Sequence, residues 1–154
     1  MDILDKMVCK KVAKVFEASR YNVILFPEYW LKSDIDQQLI NKEPALLSQS
    51  PLYILECFSD ETGNKIPYTK ENIEKEVLFW FGYIITYIQL EYNISGAELW
   101  KKYDLVDALR HYDVLHTVSS KTAANMIIKD YNKLDNALLK TSKCMGKKDD
   151  SASY

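Results

Sequence analysis

The sequence predicts an all-α fold, a compact helical bundle around one central buried helix at about residues 70–92. Glycine and proline number only four each in 154 residues, which leaves few places where a helix must end. Hydrophobic residues make up 47% of the chain, which is enough for a substantial core. The apolar run from Val77 to Ile88 is short for a membrane span, which needs roughly 20 apolar residues, and therefore predicts a buried helix.

Residues 1–67 are predicted to form an N-terminal helical region. Its first helix is expected from about Ile3 to Ser19, where apolar residues recur at helical spacing. Residues 22–26 are β-branched and aromatic, so they predict either a short strand or an irregular connector. A connector is favoured because no second convincing strand is present to pair with it.

The rest of this region predicts short capped helices. Ser33 is an N-cap candidate that opens a helix through Ile40. Residues 43–58 predict a helical stretch broken at Pro51, which Ser50 would restart as a cap. The polar residues 59–67 predict a turn and the internal boundary of the chain.

Residues 68–142 are predicted to form a helical domain packed on the first region. Thr69 precedes the acidic first turn expected of the central helix, which continues to about Tyr92. Ser95 and Glu98 have the spacing of a capping box and open a helix through Lys102.

The remaining elements follow from further caps. Asp104 is expected to open a short helix through His111, and residues 112–118 to form an irregular crossing segment. A cap at residue 119 or 120 opens a last helix to about Thr141, and residues 143–154 are a polar tail.

Charge and cysteine content limit the function classes. The net charge is −2, from 20 basic and 22 acidic residues, so nucleic acid is not the favoured partner. That alternative requires a patch formed by lysines of the first helix together with lysines after Trp100. These lysines are Lys6, Lys10, Lys14, Lys101 and Lys102.

Cys9, Cys57 and Cys144 lie far apart and match no metal-binding spacing. They predict free thiols in a reducing compartment, hence a cytoplasmic protein without a structural metal or cofactor. The N-terminus has no continuous apolar signal core, and no membrane association is expected.

His116 is the one candidate for a catalytic group. A general base needs a nucleophile or a second acid close to it, and no such pattern surrounds His116 in the sequence. A structural or interface role is favoured, and a small enzyme using His116 is the alternative. A deep pocket beside Asp113 or a tyrosine hydroxyl would favour the enzyme, whereas a bond to a backbone carbonyl would argue against it.

The eleven tyrosines and three tryptophans are the most informative excess. Tyrosine and tryptophan combine a large apolar area with a polar group and are common in protein interfaces. Several lie near predicted helix ends, where they either complete the core or contact a partner, two readings of equal weight. The partner-binding candidates are Tyr29, Trp30, Trp100, Tyr103, Tyr112 and His116.

Residues 72–133 resemble a bacterial family of short, uncharacterised helical domains. The resemblance rests on the apolar helix Ile73–Tyr92, on an "ISG-E" opening at Ile94–Glu98, and on a "VLHT" segment at Val114–Thr117 followed by the helix around Ile127. Members of that family often stand beside genes for putative ADP-ribosyltransferase-like toxins. The resemblance implies a partner or antitoxin-like role, carries over no catalytic residue, and leaves about the first 68 residues unexplained.

The combined prediction is a non-enzymatic protein-binding module. Its partner would be another protein, such as a toxin encoded nearby, or a second copy of the chain.

Overall fold

A computed structural model describes residues 1–69 and 72–129. In these residues the chain forms helices and no sheet, so the predicted all-α class is confirmed. The helices are α1 Ile3–Ala18, α2 Phe26–Leu31, α3 Asp34–Ile40, α4 Pro44–Leu47, α5 Pro51–Thr62, α6 Lys75–Tyr92, α7 Gly96–Lys102, α8 Leu105–Arg110, α9 Tyr112–Leu115 and α10, residues 120–129.

Helices α1 and α6 pack closely along each other and form the centre of the fold. Gly82 permits the close approach, because a Cβ atom at this position would lie only 2.9 Å from Cβ of Phe16. Phe81, the neighbouring residue on α6, is fully buried. The predicted central helix is therefore present.

Aromatic side chains from several helices meet against this pair. Trp30 and Phe58 contact the ring of Phe26, with ring centroids 5.8 and 5.2 Å apart from it. Phe16 joins the same cluster with its centroid 4.7 Å from Phe26. Because α1, α2, α5 and α6 all contribute buried residues, the two predicted regions share one core.

The start of α6 corrects the sequence prediction, since the helix begins at Lys75 and not after Thr69. The backbone N–H of Thr69 donates to the carbonyl of Arg20 over 2.8 Å, next to an isolated antiparallel bridge between Tyr21 and Tyr68. Residues 72–74, which lie in the predicted first turn, are not helical.

The predicted N-cap residues are confirmed, but at α7 only the Ser95 half of the predicted capping box occurs within the described residues, and the carboxylate of Glu98 pairs with Lys102. Helices α3, α5, α7 and α8 each begin with a side-chain oxygen that accepts a hydrogen bond from the backbone N–H three residues later. The capping residues are Ser33, Ser50, Ser95 and Asp104. Ser119 accepts from the N–H of Thr122 in the same way and precedes α10.

Two further boundaries differ from the prediction. Residues 59–62 continue α5, which ends at Gly63 in the left-handed conformation with φ of 64°. Residues 112–115 form α9 and are not irregular. Residues 23–25 form a turn that leads into α2 at Phe26, which confirms the favoured connector over a strand. The predicted helix beyond residue 129, Cys144 and the polar tail lie outside the described residues.

No helix within the described residues is long and apolar enough to cross a membrane.

Candidate functional site

Three rings form a continuous set that extends from the edge of the core to the protein surface, which we call the aromatic surface: Trp80 and Tyr112 are half-buried, and His116 is exposed. The rings of Trp80 and Tyr112 meet edge to face, with centroids 5.4 Å apart. Those of Tyr112 and His116 are stacked at 4.3 Å and 10°. Helix α9 creates the stack, because residues four apart lie one above the other on a helical turn.

His116 is held by the same turn. Its Nδ1 lies 2.7 Å from the backbone carbonyl of Tyr112. A carbonyl oxygen can only accept, so Nδ1 is the donor and Nε2 remains for other contacts. This is the backbone contact that the sequence analysis expects of a structural or interface histidine, and the side chain is exposed at the surface.

The aromatic surface has an acidic and partly apolar border. Burial raises the pKa of Tyr112, and the nearby carboxylates of Glu76, Glu74 and Asp113 raise it further. These carboxylates make no ion pair within residues 1–69 and 72–129. Val114 is exposed and adds apolar area on the same helical turn.

The other predicted residues lie elsewhere. Trp30 is fully buried in the aromatic core, so its inclusion among surface anchors is corrected: its ring cannot reach a partner in this fold. Tyr29, Trp100 and Tyr103 are half-buried and pack against the core. The structure therefore brings together Tyr112 and His116, and adds Trp80, which the sequence analysis assigned to the central helix.

A second site was not predicted from sequence. The carboxyl group of Asp36 on α3 is only 1% exposed, and its Oδ1 accepts a hydrogen bond from Nε2 of Gln89 on α6 over 3.3 Å. Burial raises the pKa of Asp36 to about 7, against the opposing effect of Gln89 and of the indole of Trp30. The indole N–H of Trp30 favours the charged carboxylate, yet within the described residues it makes no hydrogen bond of acceptable geometry.

Asp36 and Gln89 line what we call the polar cleft, a space of about 380 Å³ between α3 and residues 89–97. Gly96 closes one side of it in tight contact with α2. A Cβ atom at Gly96 would lie 2.1 Å from the carbonyl oxygen of Leu31 and 2.9 Å from Oδ2 of Asp36. Only glycine fits this position without a shift of the backbone.

Two sequence signals could have identified this site. Gln89 is an uncharged polar residue within an apolar helix, and a buried amide requires a partner. Asp36 lies on the inner side of α3, one helical turn before Ile40. The cap at Ser33 uses only the backbone N–H of Asp36, so it leaves the carboxyl group unexplained.

No group of three or more metal-ligating side chains occurs in the described parts of the chain. Comparison with protein-family models, with curated proteins and with solved structures finds no match for this chain. The resemblance of residues 72–133 to a toxin-associated family therefore stays a prediction.

Proposed function

We propose that this chain is a non-enzymatic protein-binding module that uses the aromatic surface as its contact area and acts as the antitoxin-like partner of a bacterial toxin. The observation that carries the proposal is the continuous contact of Trp80, Tyr112 and His116 at the surface.

The chemistry of the aromatic surface suits a protein partner. Tyrosine and tryptophan are enriched among the residues that contribute most to binding, particularly where a polar border surrounds them. The carboxylates of Glu74, Glu76 and Asp113 supply such a border here. A partner surface that carries lysine or arginine would complement it, because cations bind both to aromatic faces and to carboxylates.

The aromatic surface is also pre-oriented. The ring of His116 is fixed by the stack with Tyr112 and by the hydrogen bond to the backbone carbonyl. A side chain that is already fixed loses less conformational entropy when a partner binds. The free Nε2 of His116 then offers a directional contact.

The antitoxin reading comes from the resemblance, and the exposure of the "VLHT" segment supports it. Val114, His116 and Thr117 are exposed, whereas Leu115 is buried beneath them. A segment whose residues mostly face solvent is better suited to contact than to core packing.

The proposal is tested by co-purification of the chain with the product of its neighbouring gene, followed by titration calorimetry. Tyr112→Ala is expected to weaken the affinity by about tenfold or more, equal to about 1.4 kcal/mol. His116→Ala should weaken the affinity less, because His116 contacts only the ring of Tyr112, whereas Tyr112 contacts both other rings. Tyr53→Ala, an exposed tyrosine on α5, is the matched control and should bind as the wild type does.

Two results would contradict the proposal. The first is a chain that binds no neighbouring gene product and is monomeric by light scattering. The second is a complex that Tyr112→Ala leaves unchanged, which would place the contact area elsewhere.

A further inference from the structure

Among the residues that the structure describes, none with a basic side chain balances the carboxyl group of Asp36. No lysine, arginine or histidine forms an ion pair with it in the described residues. Lys32 is the charged neighbour in the lining of the polar cleft, and its Nζ is bound to Glu28 at 2.6 Å. Burial makes the charged carboxylate costly and raises the pKa of Asp36 to about 7, so above that pH a cation from outside would stabilise the charged form.

The polar cleft has the size and the groups to receive such a cation. Its volume of about 380 Å³ falls within the usual range of small-molecule sites. Gln37, Asn41 and Asn93 line it with carboxamides that make no side-chain hydrogen bond within the described residues. Carboxamide oxygens can accept the N–H groups of a cation that the carboxylate does not use.

The carboxyl group is held in place on its inner side. Gln89 donates to Oδ1, so Oδ2 is the oxygen left for a ligand. Glycine at position 96 keeps a side chain away from Oδ2. The fully buried Nε1 of Trp30 has no hydrogen-bond partner in the part of the chain that the structure describes, so it is a second polar group of this cluster whose bonding is incomplete.

From this arrangement we propose that the polar cleft binds a small organic cation, a primary ammonium or a guanidinium group, with the carboxylate of Asp36 as its counterion. The carboxamides of the lining accept the remaining N–H donors. This site is separate from the aromatic surface and does not depend on the function proposed for it. Either a free amine or the side chain of a lysine or arginine on another protein could supply the same chemistry.

The test is a titration of the full chain with methylguanidinium chloride and, separately, with methylammonium chloride, in which binding is monitored by NMR. The signals to observe are the indole N–H of Trp30 and the side-chain amide of Gln89, because both groups face Asp36. Methylurea, which has the shape of methylguanidinium without the charge, is the neutral control, and sodium chloride controls for ionic strength. At least one of the two cations is expected to shift both signals in a saturable way, and methylurea is expected to bind about tenfold more weakly or not at all.

Variants assign the effect to the cleft. Asp36→Asn should reduce the cation affinity by about tenfold or more, whereas Asp34→Asn, an exposed carboxyl on the same helix, should not. If Asp36→Asn does not fold, Gln37→Ala and Asn93→Gly remove lining carboxamides from exposed positions. Each should weaken binding, and Asn93→Gly keeps a residue suited to the φ of 51° at that site.

The source of the cation is decided by competition. If a protein partner of the chain displaces methylguanidinium, a lysine or arginine side chain of that partner occupies the polar cleft. If methylguanidinium stays bound in the complex, the cleft takes a free amine. The proposal is overturned if neither cation shifts the Trp30 and Gln89 signals. It is equally overturned if Asp36 titrates with the same pKa with and without methylguanidinium, because a proton alone would then neutralise the carboxylate.

Discussion

Asp36 on α3 and Gln89 on α6 lie 53 positions apart in the chain and meet in the core, where Nε2 of Gln89 donates to Oδ1 of Asp36 over 3.3 Å. Both side chains are almost fully buried. The contact joins the N-terminal helices to the central helix through a group that can change its charge. The protonation of Asp36 is consequently linked to the stability of the folded protein.

We expect Asp36 to make the free energy of unfolding depend on pH. Its pKa rises from the ordinary value of 3.8 to about 7 on folding. Between these values the folded chain keeps a proton that the unfolded chain has lost, so the stabilisation from this group is complete below about pH 4 and decreases as the pH rises to about 7. Urea unfolding at a series of pH values measures the effect.

The control for this prediction is a comparison of two variants. Asp36→Asn removes the titrating group and should flatten the pH dependence over that window, whereas Asp34→Asn should retain it, since Asp34 is exposed. An unchanged pH dependence in Asp36→Asn would show that another group is responsible.

Gly96→Ala should destabilise the protein by about 1–3 kcal/mol. The added Cβ atom would lie 2.1 Å from the carbonyl oxygen of Leu31, so α7 must move away from α2. Chemical denaturation measures the loss. Lys101→Ala, an exposed change on the same helix, should alter stability by less than about 0.5 kcal/mol. Equal stability of the glycine and alanine forms would show that this helix contact is looser than described.

Phe81→Ala should cost about 3–5 kcal/mol, because the ring is fully buried on α6 and lies 6.1 Å from the ring of Phe16. The free energy of unfolding in denaturant gives the value. Ile3→Ala, at a side chain that is 79% exposed on α1, is the surface control and should have little effect. A loss near zero at Phe81 would mean that α6 is not the central helix.

The cysteines should differ in reactivity. Cys9 is fully buried, and burial together with the charge of Asp5 raises its pKa to about 12. Cys57 is only half-buried. Because the thiolate is the reactive form, a thiol reagent should modify Cys57 in the native protein and Cys9 only after unfolding. Mass spectrometry of a Cys144→Ser variant separates the two sites, and rapid labelling of Cys9 at neutral pH is the outcome that would refute this.

The helix starts could be predicted because a cap is a local arrangement. Ser33, Ser50 and Ser95 each bond the N–H three residues ahead, and three residues of sequence contain all that this bond requires. Where a distant contact intervenes, the prediction is wrong. Thr69 does not open α6, because the chain at Tyr68 and Thr69 is extended and pairs with Tyr21 and Arg20, and the helix begins only at Lys75.

The candidate site could be predicted only in part. Residue type is enough to select Tyr112 and His116, but their stacking depends on α9, a helix that forms where the sequence predicts an irregular segment. Trp30, like Trp80 and Trp100, is a tryptophan within a helix, and the sequence does not distinguish the three by burial. The packing of α2 against the core buries Trp30 completely.

The all-α class, the capped helix starts and the central apolar helix follow from the amino-acid sequence, since propensity, capping and periodicity act over a few residues. Tertiary packing alone decides which aromatic side chains reach the surface. It also brings Asp36 to Gln89 and places both beside a cleft. Burial and pKa depend on groups that are far apart in the chain, and for that reason the polar cleft is visible only in the folded protein.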